Sequence, residues 1–257
     1  MIMVEKTAIV SLKAEIGENV KIGHNAIIYD DVQIGDNCVI GPNAVLYDGA
    51  RLGKNVKIFQ GASVSNEPQD LKFSGVPTQF YIGDGTVVRE FATLHRGTEA
   101  HGFSKVGKDC LLMAYSHVAH DCVLGDNVIL ANSVQIGGHV ELEDWVIIGG
   151  MTPIHQFVKI GKHAMVGGGW RVPYDVPPFM IAAGEPLKFT GVNIIGLRRR
   201  GFSNEQIESM KEVYRILFRS GKNLGEAKAE LAQSHGDDPT ALEIMEFMNS
   251  ITRPGIK

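Results

Sequence analysis

The stretch VKIGHNAIIYDDVQIGDNCVIGPNAV, residues 20–45, repeats a phrase in which an Ile-Gly pair is followed two residues later by asparagine. The phrase starts at Ile22, Ile34 and Ile40, so its spacing is a multiple of six. A period of six fits neither a helix of 3.6 residues per turn nor simple strand alternation. It is typical of a solenoid of short strands joined by tight turns, because glycine and asparagine readily adopt the backbone angles of a corner.

The same phase of six continues along most of the chain. Every sixth residue from Val4 to Val172 gives 29 positions, of which 27 are Val, Ile or Leu. With ordinary composition, roughly a quarter to a third of these positions would be aliphatic by chance. Three repeats make one triangular coil, in which small residues such as Cys38 and Ala44 fit the crowded interior. This pattern predicts an all-β, parallel β-helix.

The two exceptions to the aliphatic phase, Asp70 and Ala100, indicate loops. SNEPQDLKFSGVPTQF surrounds the first, and the polar, glycine-rich HRGTEAHGFSK surrounds the second. We therefore predict loops near 65–75 and 97–105 that leave the wall of the coil. Loops held on a rigid scaffold often carry function.

Beyond Val172 a helical pattern replaces the period of six. Ser203 and Gln206 form a capping-box signature, and Gly221 suits a helix end. Between them, apolar residues recur at helical spacing: Ile207, Met210, Val213, Tyr214, Leu217 and Phe218. Further helices are predicted near 223–232 and near 239–250, the latter opening with Asp238-Pro239.

These patterns predict two domains, a β-helix over residues 1–190 and a small α-helical C-terminal domain over residues 191–257. The helices are placed to cap the end of the coil, which would otherwise expose an unpaired sheet edge.

Bulk properties exclude several classes of function. The net charge of -4 argues against a nucleic-acid-binding protein, and no stretch approaches the roughly 20 apolar residues of a membrane span. The N-terminus lacks the pattern of a signal peptide, and the three cysteines, Cys38, Cys110 and Cys122, have no CxxC spacing. We expect a cytoplasmic protein with reduced cysteines.

Histidines concentrate on one predicted corner of the coil. Counting three repeats per coil, Asp121 stacks under His139, and His120 stacks under Gly138 and then Gln156. Equal positions in successive coils lie about 4.8 Å apart. The cluster therefore comprises His117, His120, His139, His155 and Gln156.

Three interpretations of this cluster remain open from the residues alone. The histidines can be unrelated surface residues, or His95, His117 and His120 can bind zinc, since this set resembles the three-histidine zinc site of carbonic anhydrases with such repeats. Alternatively, His120 acts as a general base, because a neutral imidazole accepts a proton near pH 7. Asp121 would then orient it, and the Gly138 N–H would stabilise an oxyanion. Cys122 is predicted to be an interior residue and not a nucleophile.

Several stretches resemble one family of hexapeptide-repeat enzymes, UDP-N-acetylglucosamine O-acyltransferase. They include QDLKFSGVPT, TLHRGT, HVAHDC, IIGGMTPIHQF and GVNIIGLRRRGFS. The resemblance implies a left-handed coil, a homotrimer and the first step of lipid A biosynthesis. In that step a (3R)-3-hydroxyacyl chain passes from acyl carrier protein to the glucosamine 3-OH of UDP-N-acetylglucosamine. No metal and no resident cofactor is implied, since the 4'-phosphopantetheine belongs to the carrier.

The resemblance also implies roles for individual residues. His120, Asp121 and the Gly138 N–H would be catalytic. Substrate would be bound by Gln69, Asp70, Lys72, His117, His139, His155, Gln156, Asn193, Arg199 and Arg200. Because acyl carrier protein is acidic, we add the hypothesis that it docks on a basic patch made of Arg198, Arg199, Arg200, Arg215, Arg219 and Lys222.

Two departures from the family bear on specificity. Ile195 stands where an acidic residue is frequent in the family. This departure bears on how the nucleoside is contacted and on whether the acceptor is a 3-hydroxyl or a 3-amino sugar. Near the end of the acyl-chain groove, where a histidine is common in the family, Pro186 is found instead, and Gly168 leaves room for a long chain. A related N-acyltransferase carries an extra domain before its repeats, for which the repeats starting at Val4 leave no room. A noncatalytic scaffold would explain only the repeats.

Overall fold

In a computed structural model, which describes residues 2–251, short strands form the three sides of a triangular prism. The first sheet contains β1 Met3–Val4, β4 Lys21–Ile22, β7 Val39–Ile40, β10 Lys57–Ile58, β13 Val87–Val88, β16 Leu111–Leu112, β19 Ile129–Leu130, β22 Ile147–Ile148 and β25 Met165–Val166. The second contains β2 Ile9–Val10, β5 Ile27–Ile28, β8 Val45–Leu46, β11 Ser63–Asn66, β14 Thr93–His95, β17 His117–Val118, β20 Gln135–Ile136 and β23 Pro153–Ile154. The third contains β3 Glu15–Ile16, β6 Gln33–Ile34, β9 Ala50–Leu52, β12 Gln79–Ile82, β15 Phe103–Val106, β18 Val123–Leu124, β21 Glu141–Leu142 and β24 Lys159–Ile160.

All these strands pair in parallel, each with the strand one coil away, so the predicted parallel β-helix is confirmed. Lys21 pairs with Val39, three repeats further along the chain, and the same step recurs along each side. The corner asparagines have positive φ, 57° at Asn25 and 60° at Asn37, as the repeat predicts. Aliphatic residues at the sixfold phase fill the core, where Ile40 and Leu46 are at most 1% exposed.

Both loops leave the same corner, the turn that joins the second sheet to the third, which we call the loop corner. The first occupies residues 67–78 and the second residues 96–102. Ser63 pairs with Thr93, five repeats further on, and Thr93 pairs with His117, four repeats further on. The loops thus lengthen an ordinary coil of three repeats by two whole repeats and by one. The core residues on both sides of each loop therefore keep the sixfold spacing. Val76 also falls on this spacing, although it lies within the first loop and outside the core.

The second loop is shorter than the predicted span of 97–105. Residues 103–105 belong to β15, which pairs with β12 on one side and β18 on the other. Phe103 and Lys105 face outward while Ser104 is buried, so a polar residue occupies an interior position of this strand. The longer predicted loop follows from Ala100 and from the polar, glycine-rich stretch HRGTEAHGFSK, whose last residues belong to this strand.

After the last coil the chain forms an antiparallel hairpin that the sequence pattern did not predict. Strand β26, Met180–Ala183, pairs in parallel with β25, and β27, Lys188–Val192, pairs with β26 at the edge of the first sheet. Hairpin residues Met180 and Val192 join the helices in a second apolar core. The hairpin and the helices together cover this end of the coil.

Four helices complete the described chain: α1 Ile194–Arg199, α2 Asn204–Arg219, α3 Leu224–Ser234 and α4 Pro239–Ser250. The predicted capping box at Ser203 and Gln206 is present, and Gly221, with φ 74°, follows the end of α2. The final stretch of the predicted helical domain, 252–257, lies outside the described residues. Within residues 2–251 no helix is both long and apolar enough to cross a bilayer.

Candidate active site

His120 and Asp121 form a close pair at the loop corner. His120 Nδ1 lies 2.8 Å from Asp121 Oδ2, and the aspartate is 1% exposed. Asp121 occupies the positive-φ place of the turn, with φ 58°. The same place in other turns of the loop corner is held by Gly49, His139 and Phe157, whereas asparagine holds it in several turns of the other corners. The corner geometry thereby directs its carboxylate at the neighbouring imidazole.

The second loop supplies the remaining partners of Asp121. Thr98 donates to it twice, from its backbone N to Oδ1 at 2.8 Å and from Oγ1 to Oδ2 at 2.7 Å. Burial raises the pKa of Asp121, but the hydrogen bonds from His120 and Thr98 outweigh it and the net shift is downward. An ionised carboxylate only accepts hydrogen bonds, so the shared proton lies on His120 Nδ1 and leaves Nε2 of the neutral ring as the base.

Gly138 lies directly against the His120 ring, one coil further on. A Cβ built on Gly138 would lie 2.6 Å from His120 Cε1 and 2.7 Å from Nε2. The backbone angles of Gly138 suit any residue, so the imidazole alone requires glycine here. Within residues 2–251 the Gly138 N–H donates no hydrogen bond, and it is therefore available to a ligand beside the base.

His139 continues the stack above Asp121, as the coil spacing predicts. Its Nε2 is 3.7 Å from Asp121 Oδ2, its ring meets the His120 ring at 90°, and Phe157 stacks on its other face at 4.5 Å. Burial lowers the pKa of His139, while the charges of Asp121 and Asp70 oppose that shift. His139 is thus held as a neutral ring near pH 7. The sequence reasoning missed Phe157, although it follows His139 by one coil.

Two further histidines, which the sequence spacing did not separate from the corner, lie on strands β14 and β17 of the second sheet beside it. Thr93 Oγ1 is 2.8 Å from His117 Nδ1, and His95 meets the His117 ring edge-on at 4.9 Å. Burial lowers the pKa of His117. Burial, with the nearby His117, His120 and Arg96, lowers the pKa of His95 to about 4. Both rings therefore stay uncharged at neutral pH.

The first loop carries the predicted substrate residues at its surface. Asp70 is half-buried and its Oδ1 accepts from Lys72 N at 2.9 Å, while the Gln69 and Lys72 side chains are exposed. Contacts from the second loop hold this segment in place. Arg96 Nη2 lies 3.6 Å from Glu67 Oε1, and Ser74 N donates to Glu99 Oε1 at 2.9 Å.

The predicted nucleotide residues lie on a different corner, between the third sheet and the first. Asn193 is 3% exposed and caps α1, accepting from Gly196 N and donating to His163 O at 2.9 Å. Arg200 covers the Trp145 ring at 5.1 Å and approaches His163, while Arg199 is exposed. One chain therefore does not bring these residues together with His120.

The other predicted residues are dispersed. His155 and Gln156 are exposed in the next turn of the loop corner, where His155 Nδ1 is 3.1 Å from Gln156 O. Gly168 is exposed at the third corner of the coil, and Pro186 is exposed in the turn of the terminal hairpin. Gly168 and Pro186 thus lie away from His120 within one chain.

A metal site was one open interpretation of the histidines. Among the described residues, one group of three has ligand atoms within 4.8 Å of one another, namely His120, Asp121 and His139. It differs from the zinc set considered from sequence, in which His95 and His117 accompany His120. Both Asp121 oxygens already accept from Thr98, which disfavours a cation there.

Cys122 lies next to this cluster but has the properties of a core residue. It is fully buried, and burial raises its pKa to about 12. A thiol is nucleophilic only as the thiolate, so Cys122 is unsuited to attack a thioester.

Replacing Cys122 by alanine is therefore expected to keep kcat within about twofold of the wild type. The variant should lose only about 1 kcal/mol of unfolding free energy, because a small buried side chain is shortened. Steady-state kinetics and urea unfolding measure the two quantities. A thousandfold fall in kcat in a folded Cys122→Ala protein would reinstate the thiol as a nucleophile.

The chain is similar to known proteins in its repeats and in its helical region. A family model described as UDP-N-acetylglucosamine O-acyltransferase, domain 2, matches residues 175–256. The model of the bacterial transferase hexapeptide, six repeats, matches residues 13–48, 34–66 and 103–138. The matches cover both the repeats and the helical region.

Solved structures are similar over nearly the whole chain. UDP-N-acetylglucosamine acyltransferase from Bacteroides fragilis is 41% identical, with 99% of this chain and 100% of that chain covered and a TM-score of 0.97. The O-acyltransferase from Moraxella catarrhalis is 37% identical, with 98% of each chain covered and a TM-score of 0.94. The Arabidopsis acyltransferase is 32% identical, with 99% of each chain covered and a TM-score of 0.84. The coil is accordingly a left-handed parallel β-helix, and the chain belongs to the UDP-N-acetylglucosamine O-acyltransferase family of enzymes.

Proposed function

We propose that the protein transfers a (3R)-3-hydroxyacyl chain from acyl carrier protein to the 3-OH of UDP-N-acetylglucosamine in the cytoplasm. This reaction would be the first step of lipid A biosynthesis. The observation that carries the proposal is the buried His120–Asp121 pair with the free Gly138 N–H beside it. The pair supplies a base, and the amide supplies a donor for an oxyanion.

The proposed reaction is a direct transfer without an acyl-enzyme. His120 Nε2 takes the proton of the sugar hydroxyl as its oxygen attacks the thioester carbonyl. The Gly138 N–H donates to the carbonyl oxygen as it becomes negative. When the tetrahedral intermediate collapses, the C–S bond breaks and the imidazolium returns its proton to the departing thiolate. Asp121 stabilises the transient imidazolium without accepting its proton.

Residues on more than one corner are needed to hold the acceptor. Asp70, Lys72 and His139 lie at the loop corner with the base, whereas Arg199 and Arg200 lie on another corner. We infer that these arginines reach the nucleotide from the adjacent subunit of a homotrimer. The planar guanidinium donates two parallel hydrogen bonds, which suits a diphosphate. His117, Gln69, His155 and Gln156 would border the sugar from the loop corner, and Asn193 would position the arginine helix α1.

The donor protein is proposed to bind at the helical domain. A cavity of about 360 Å³ between β27 and α2 has an apolar floor that includes Phe189, Tyr214 and Phe218. Lys211, Arg215 and Arg219 line the same cavity from α2, at i, i+4 and i+8. An acidic carrier protein with an apolar contact would match this surface in charge and in polarity.

Reversing the charge of Arg215 and Arg219 to glutamate is expected to raise KM for the acyl carrier about tenfold, because electrostatic attraction is replaced by repulsion. The KM for UDP-N-acetylglucosamine should stay unchanged. Lys6→Glu combined with Lys21→Glu is a matched control on exposed lysines of the N-terminal coils. Equal KM values for the carrier in both double variants would show that the carrier does not dock on α2.

The assay that tests the proposal mixes chelator-treated protein with 3-hydroxyacyl carrier protein and UDP-N-acetylglucosamine, and follows the product by mass spectrometry. A parallel reaction contains the 3-amino analogue, because the exposed Ile195 occupies the place of a frequent acidic residue. Product from the 3-hydroxyl sugar supports the proposal. Product only from the amino sugar would show that the acceptor is the 3-amino sugar. Activity that returns only with added zinc would indicate a metal-dependent reaction at the group formed by His120, Asp121 and His139.

A further inference from the structure

We propose that Thr98 is a positioning residue that commits Asp121 to His120. This inference rests on the proposed general-base role of His120. Thr98 ends the stretch TLHRGT, but neither the repeat pattern nor the family resemblance implied a role for it. Its side chain nevertheless touches the catalytic carboxylate directly.

The contacts of Thr98 leave Asp121 a single orientation. The Thr98 backbone N–H holds Oδ1, and its hydroxyl donates to Oδ2, the oxygen that also accepts from His120 Nδ1. Thr98 is 5% exposed and Asp121 is 1% exposed, so water does not replace these donors readily. Two donors at fixed positions set both the rotation and the tilt of the carboxylate.

The hydroxyl of Thr98 is itself directed. Ala100 N donates to Thr98 Oγ1 at 3.2 Å, so the hydroxyl proton remains free to point at Asp121. The neighbouring residues Arg96 and Glu99 bind the first loop, through Glu67 and through Ser74. Thr98 is therefore held between the carboxylate and the loop that carries the proposed sugar contacts.

Such control matters because two histidines lie within reach of one carboxylate. His120 Nδ1 is 2.8 Å from Asp121 Oδ2, and His139 Nε2 is 3.7 Å from the same oxygen. A small rotation of the carboxylate would bring it to His139 and leave the His120 ring without its orienting partner. A group that orients a histidine fixes which ring nitrogen carries the proton. Thr98 holds the carboxylate on the productive partner.

Thr98→Val removes the hydroxyl at nearly constant shape, and Thr98→Ser retains it. We expect Thr98→Val to lower kcat about tenfold, with KM for UDP-N-acetylglucosamine within about twofold of the wild type. Thr98→Ser should recover most of kcat. A purely structural role would lower the melting temperature without this split between kcat and KM, so thermal unfolding of both variants is measured alongside.

A second measurement does not depend on turnover. In protein labelled with ¹⁵N-histidine, NMR reports which ring nitrogen of His120 carries the proton. Thr98→Val should diminish the Nδ1–H form of His120, and Thr98→Ser should preserve it. Wild-type kcat and an unchanged His120 spectrum in folded Thr98→Val would overturn the inference. Absence of product from the wild type would instead defeat the proposed function, and the spectrum would still decide the role of Thr98.

Discussion

Replacing His120 by alanine is expected to lower kcat about a thousandfold, which is within the range that a positioned general base contributes. The sugar hydroxyl would then lose its proton only to water, while Gly138 and the substrate contacts remain. The KM for the nucleotide sugar should change little, because the imidazole acts on the reacting oxygen and not on the nucleotide. Product formation by mass spectrometry under saturating substrates measures the loss.

His24→Ala is the matched control for that loss. His24 is an exposed histidine on an N-terminal coil, where its ring approaches Thr7 and Glu5. Its removal should leave kcat at the wild-type value. A His120→Ala protein that folds and retains a tenth or more of wild-type kcat would mean that another group accepts the proton, and His139 would be the next candidate.

Gly138→Ala is expected to lower kcat about a hundredfold by a purely steric route, because a misplacement of about 1 Å at a reacting group costs on that order. The added Cβ would lie 2.6 Å from His120 Cε1, a separation that nonbonded carbon atoms do not tolerate. The imidazole must therefore swing away from Asp121 or from the oxyanion donor. The backbone N–H itself is retained, so the loss would report the position of the ring.

Gly150→Ala provides the control, since Gly150 follows Gly149 in a corner as Gly138 follows Gly137. A Cβ there meets only Asn132 O at 3.1 Å, with the next atoms at 3.9 Å. Unfolding in urea should give similar stabilities for the two variants, and kcat should fall only in Gly138→Ala. Equal activity of the two alanine variants would show that the His120 ring does not need its present position.

The sequence predicted the scaffold well because each corner repeats the same physical requirement. Aliphatic residues must face a narrow interior, and their sixfold spacing is therefore visible in nearly every repeat. Many corner residues must accept a positive φ, which glycine and asparagine do readily, although Phe91 and Trp145 also adopt it. The stacking of His139 on Asp121 followed from that period and is confirmed by the strand register around His117 and Gln135. The roles of these residues remain predictions that the proposed variants test.

The features that the sequence did not predict lie in segments without the sixfold period. Thr98 sits in a loop, and no spacing rule relates a loop residue to the coil it contacts. The β26–β27 hairpin departs from the parallel pattern, and its outward-facing residues lack a sixfold phase. Val76 shows the opposite error, since it keeps the aliphatic phase by coincidence inside the first loop. Local patterns report local geometry, whereas contacts across a loop depend on the folded path.

The N-terminal coil gives the molecule a gradient of stability along its axis. Strands β1, β2 and β3 border their sheets, and in this coil Val4 is 46% exposed, against 2% for Ile22, which occupies the same place in the next coil. In a solenoid each coil is stabilised by its neighbours, so opening begins at the uncovered end and advances one coil at a time. His117 lies five coils further on, about 24 Å at 4.8 Å per coil. Fraying at the open end therefore leaves the loop corner around His120 intact, because the intervening coils would have to open first.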